Sequence, residues 1–151
     1  MIALSLFRGK RNEQVKETAT PSSPDKILIE ELCGNDKELC EASSILILVN
    51  PELVVTNGVD SFAAKAQEHE MAKDFVSARI AYQVAGEIAL FEGDLQKALS
   101  LFKKAAEVDP SYTFRKVFNY ISKEENAERL FAVAQEFYSR MQKRPSKIEV
   151  S

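Results

Sequence analysis

The chain has 151 residues, is 45% hydrophobic and 28% charged, and carries a formal net charge of −3. That length suffices for one domain with a buried core, and the acidic balance excludes a chain that holds nucleic acid by bulk charge. No run approaches the ~18 apolar residues of a membrane-spanning helix, and only five Gly and five Pro suit a helix-rich chain with few turns.

Residues 1–22 read as a tail. MIALSLFRGKR places a short apolar patch before its basic residues, the reverse of a secretory signal, and TATPSSP, Thr18 to Pro24, is rich in helix breakers. Residues 23–59 read as an N-terminal helical segment. Pro24 suits a first helical turn, Ile27, Leu28 and Leu32 follow, and Gly34 is a natural stop. Asn35 or Asp36 caps a second helix carrying Leu39, Cys40 and Ala42 into the run ILILV, Ile45 to Val49. Residues 45–56 are ambiguous between helix and strand; the helical flanks favour helix. The two cysteines, Cys33 and Cys40, have a spacing that permits a disulfide, but no CxxC pairing or metal-ligand spacing demands a bond. They read as small core residues in a reducing compartment.

Residues 60–143 form the main helical domain. Asp60 or Ser61 caps a helix through Phe62, Ala63, Ala66 and Met71. Asp74 caps the next, Phe75 to about Glu92, with Gly93 closing it. This helix has two apolar rows, one of Phe75, Ala78, Tyr82, Ala85 and Ala89 and another of Ile80, Val84, Ile88 and Phe91. They lie on nearly opposite faces, so the helix is sandwiched at the centre of the domain. A polar edge, Arg79, Gln83 and Glu87, with Leu90 alongside, runs between them. Leu95 to Val108 is one-sided, with Leu95, Ala98, Leu99, Phe102, Ala105 and Ala106 on its apolar face. Asp109-Pro110 ends it. Phe114, Val117, Phe118 and Ile121 mark a shorter helix; Ser122 with Glu125 reads as a capping box for a last amphipathic helix, Ala127 to Met141. Residues 144–151 are a second tail.

Short helices joined by tight turns suggest stacked hairpins. Tyr82, Gly86, Gly93, Ala98, Phe102, Ala105 and Pro110 resemble the signature positions of a tetratricopeptide repeat over about residues 79–112. Small residues at Gly86, Ala98 and Ala105 let two helices approach, while Tyr82 and Phe102 fill the space beside them. Ala85 and Ala89 depart from the family, which prefers larger residues there. Ala78, Tyr82 and Ala85 repeat the small-aromatic-small spacing of Ala98, Phe102 and Ala105 only twenty residues earlier. The same A-x₃-Y-x₂-A pattern also resembles the three-helix microtubule-interacting and transport domain.

The fold class expected is all-α, short antiparallel hairpins stacked as a tetratricopeptide-like bundle. The resemblance implies a non-enzymatic adaptor of the cytoplasm that holds a peptide or helix of another protein, or of a second copy, in a groove between helices. The first helix of a hairpin lines that groove in the family, which places the partner-binding residues at Arg79, Gln83, Glu87 and Leu90. Glu87 would repel a C-terminal carboxylate, so a mixed or basic ligand fits better. No cofactor, metal or nucleic acid is expected, and no catalytic residue emerges: glycine-rich phosphate loops and nucleophile elbows are missing, and His69 stands alone. The alternatives are a structural subunit of an oligomer and an RNA- or ribosome-associated factor using the basic stretch 113–151, which carries eight basic and five acidic side chains. In that stretch Phe114, Arg115 and Lys116 follow Tyr112 as an aromatic-basic cluster.

Overall fold

The computed structural model describes residues 24–48 and 58–143. Seven helices are formed among them: α1 (Pro24–Cys33), α2 (Lys37–Leu46), α3 (Val59–Met71), α4 (Phe75–Phe91), α5 (Leu95–Val108), α6 (Thr113–Ile121) and α7 (Glu124–Lys143). There is no strand among the described residues. The all-α reading holds.

Most helix ends follow from local chemistry. The carboxylates of Asp36, Asp74 and Asp94 each accept the backbone N–H three residues on, from Leu39, Ser77 and Lys97 at 3.1, 3.2 and 3.0 Å. Each satisfies one of the donors that a helix start leaves without a partner. The α3–α4 and α4–α5 turns are copies of one another. Lys73 and Gly93 both take positive φ, 63° and 86°. Asp74 N–H then returns to His69 O and Asp94 N–H to Ala89 O, at 2.8 and 3.0 Å, the longer bond of a Schellman end. The twenty-residue echo between Ala78–Tyr82–Ala85 and Ala98–Phe102–Ala105 is therefore a repeat of turn, cap and packing residues together.

Three expected boundaries are corrected. Helix α3 starts at Val59 with Gly58 as its cap, ahead of Asp60 and Ser61. Ser122 builds no capping box, because its hydroxyl donates to Asn119 O at 2.8 Å and closes α6. Helix α2 does not run on through ILILV: Ile47 is extended at φ −87°, ψ 122°, and 49–57 lie outside the described residues, as do the two tails.

Helix α4 is the centre. It packs against α3, α5 and α7 and buries Ala78, Ala81, Tyr82, Ala85, Gly86, Ile88, Ala89 and Leu90. The Phe102 ring of α5 lies where a Cβ on Gly86 would be, 2.5 Å from its Cε1. That absence of a side chain lets the two helices close. Tyr82, buried at the same interface, donates to Glu70 Oε1 of α3 at 2.8 Å. Helix α7 then reaches back to α1, α2, α4 and α6, and Phe91 meets Tyr138 edge-to-face with ring centroids 4.7 Å apart. The N-terminal hairpin α1–α2 thus joins one continuous core with the rest. The sandwiched character of α4 holds for its C-terminal half only. At its N-terminal half Phe75, Val76 and Ile80 are exposed.

The cysteines correct the sequence reading. Cys33 and Cys40 are disulfide-bonded, with Cα atoms 5.3 Å apart. Gly34 at φ +66° makes the turn that brings them together.

Candidate functional site

The polar edge on α4 exists, and it is largely used within the chain. Arg79 donates through Nη1 to Gln83 Oε1. Gln83 Nε2 donates to Glu87 Oε2 at 2.9 Å and to the Ile45 carbonyl at 3.4 Å. Ile45 lies in the last turn of α2, whose carbonyls have no partner within the helix. A few residues on, the Tyr138 hydroxyl donates to Leu48 O at 2.7 Å. Gln83 and Tyr138 therefore hold the exit of α2 from two sides, and the ladder binds the N-terminal hairpin to the middle of the fold.

The electrostatics agree with enclosure. Burial pushes the Glu87 carboxyl up to about 7, against the opposing hydrogen bond from Gln83 and the charge of Arg79. Burial likewise drives the Tyr138 hydroxyl well above its ordinary range. Arg79 sits 5.8 Å from the Phe114 ring centre and also faces Asp109. Burial acts to raise Asp109, yet the N–H groups of Phe114 and Ser111, the Ser111 hydroxyl and the Arg79 charge hold it below its usual value. Leu90, placed on this edge by sequence, is fully buried and is corrected to a core residue: the row it shares with Glu87 turns inward as the neighbouring helices close around α4.

The aromatic-basic cluster at 112–116 also divides. Phe114 is buried, which leaves Tyr112 as the exposed ring of that stretch. Arg115 stacks on it at 4.4 Å and donates through Nε to Ala106 O at 2.9 Å, closing the end of α5. Among the described residues no three His, Cys, Asp or Glu side chains gather as a metal site. His69 Nδ1 lies 3.9 Å from Asp74 Oδ2, at the α3–α4 turn.

Among the clefts of the described residues is a groove of about 530 Å³ between α5 and the α6–α7 corner. Leu95, Leu99, Phe118 and Ile121 form its floor; Lys103 stands on one side and Glu124 and Glu128 on the other. The sequence places these apolar residues on helix faces, and the neighbours that cover each row come from distant parts of the chain. Leu95 and Leu99 belong to the apolar face of α5 and remain half-buried, lining this groove with Phe118 and Ile121. No helix among the described residues is long and apolar enough to cross a membrane. No protein-family model, curated protein or solved structure matches this chain.

Proposed function

We propose that the chain is a non-enzymatic protein-binding module, built of tetratricopeptide-like hairpins, and that it seats an apolar segment of another protein in the groove between α5 and α6–α7. The groove carries the reading: an apolar floor of Leu95, Leu99, Phe118 and Ile121 beside a charged rim of Lys103, Glu124 and Glu128. That composition of apolar anchors and polar rim suits a helix or extended segment. The polar clusters elsewhere support binding over catalysis, since the hydrogen bonds of Arg79, Gln83, Glu87 and Arg115 are spent on neighbouring parts of the fold. The α4 edge read from the sequence is thereby displaced as the docking surface of the closed chain.

The test compares capture from native extract by the parent chain, Leu99→Lys and Ile80→Lys. A partner held by the parent and by Ile80→Lys, and lost by Leu99→Lys, supports the groove. A partner held equally by all three refutes it. The exposed side chains of Met71, Phe75, Val76 and Ile80 favour a second reading, a subunit of an oligomer. Light scattering decides it: a concentration-independent dimer that Ile80→Lys dissociates would replace the adaptor reading.

A further inference from the structure

The N-terminal hairpin has the construction of a latch. Helices α1 and α2 have 10 residues each, shorter than the ~12–15 at which an isolated helix becomes even marginal in water. They are held by what they touch. The attachments to the rest of the chain are specific: Gln83 to Ile45 O, Tyr138 to Leu48 O, and Arg129 to Asp36 Oδ2 at 3.5 Å. Asp36 lies inside the loop that the Cys33–Cys40 bond closes, and it is also the cap of α2. One covalent bond thus fixes the elbow from which the cap, the ion pair and the angle between α1 and α2 are all set.

We infer that Cys33–Cys40 is a reversible thiol–disulfide site, opened by a dithiol reductant, whose state sets how firmly the α1–α2 hairpin holds α4 and α7. The two sulfurs are unequally placed. Cys33 is buried, while Cys40 is half-buried, so an incoming thiolate reaches Cys40 Sγ first. It bonds to that sulfur, the S–S bond breaks, and Cys33 leaves as a thiolate. The second thiol of the reductant then attacks the mixed disulfide and releases Cys40. The reductant leaves as its cyclic disulfide, two electrons pass to the protein, and the two protons of the dithiol end on Cys33 and Cys40. Each new thiol has an acceptor in place: Glu30 O lies 3.5 Å from Cys33 Sγ and Gly34 O 3.7 Å from Cys40 Sγ. The reduced elbow therefore satisfies both S–H groups locally, which makes the return reaction accessible. Opening it loosens the hairpin where the Ile45 carbonyl meets Gln83.

Closing a loop of this length restrains the open hairpin by roughly 60-fold in the chain-entropy account. Hydrogen exchange read by mass spectrometry on the full chain tests the inference, with a small dithiol as probe and no denaturant. The expected result is complete reduction of the folded protein. Exchange over residues 24–48 should rise by up to about 60-fold while residues 75–108 stay protected, and both changes should reverse on oxidation. A chain carrying Cys33→Ser and Cys40→Ser should show the fast exchange with no response to the dithiol. Reduction that needs prior unfolding overturns the inference, as does unchanged exchange over 24–48 or loss of protection across the whole chain at once. The readout involves no partner, so a failure here and a failure of the groove are separately visible.

Discussion

Replacing Gly86 by alanine pits two large effects against each other. On propensity alone the change should stabilise, because alanine in a helix interior is better than glycine by about 1 kcal/mol. The structure reverses the sign. A Cβ at Gly86 would lie 2.5 and 2.6 Å from Cε1 and Cδ1 of Phe102, about an ångström inside ordinary carbon–carbon contact. The ring has no room to yield, since Phe102 is fully buried. Overpacking of this kind costs typically 1–3 kcal/mol, occasionally more, and an overlap with a trapped ring belongs at the upper end. The net expectation is a loss of about 2 kcal/mol, read as a lower urea midpoint at unchanged slope. Phe102→Leu should relieve the clash, so the double variant should show a favourable coupling of about 1 kcal/mol or more against the sum of the singles. If Gly86→Ala alone is more stable than the parent by about 1 kcal/mol, the close approach of α4 and α5 is wrong, and with it the packing argument for the repeat.

Other substitutions probe separate links. Glu87 carries a carboxyl raised from 4.5 to about 7 in the fold, so the native state holds its proton more tightly than the unfolded chain. Its contribution is fully present below about pH 4.5, declines as pH rises through 7, and is flat above. Glu87→Gln should flatten that slope, which amounts to about 3 kcal/mol at most, in unfolding titrations between pH 4 and 8; an unaltered slope would place Glu87 in water. Lys73 occupies the turn position that Gly93 fills in the copy, at φ 63°; Lys73→Gly should stabilise by about 0.5–1 kcal/mol in the same assay, and a loss would deny the left-handed backbone there. Tyr138→Phe removes the hydroxyl from Leu48 O. It should cost about 1–2 kcal/mol, with the fastest new hydrogen exchange in α2; a neutral effect would mean that the α2 exit is held otherwise.

The parts of the fold legible in the sequence are those that neighbouring residues decide. Asp36 and Asp74 announce helix starts because a short carboxylate reaches a backbone N–H three residues on, and the structure shows Asp94 doing the same. Gly34 and Gly93 announce stops because glycine accepts positive φ freely. Lys73 gives no such signal, since its left-handed turn is imposed by the same packing that glycine eases at 93. The edge Arg79–Gln83–Glu87 is legible as an edge, but its internal partners are not. Its use depends on Ile45, 38 residues away from Gln83, and no periodicity along α4 reports the arrival of α2. Leu90 was misplaced for the same reason. The groove depends on where α6 and α7 come to lie beside α5, which the whole assembly sets.

The long reach of α7 has a consequence for biosynthesis. Tyr138 meets Leu48 across 90 residues, an interval of about 5–20 s at ordinary rates of translation. Throughout it, the apolar faces of Ile29, Leu39 and Leu46, buried in the finished protein, have been made and their cover has not. The first helices emerge early and mature last. A nascent chain stalled before α7 would present those faces to chaperones and proteases, and completion of α7 supplies the helix that packs on α1 and α2.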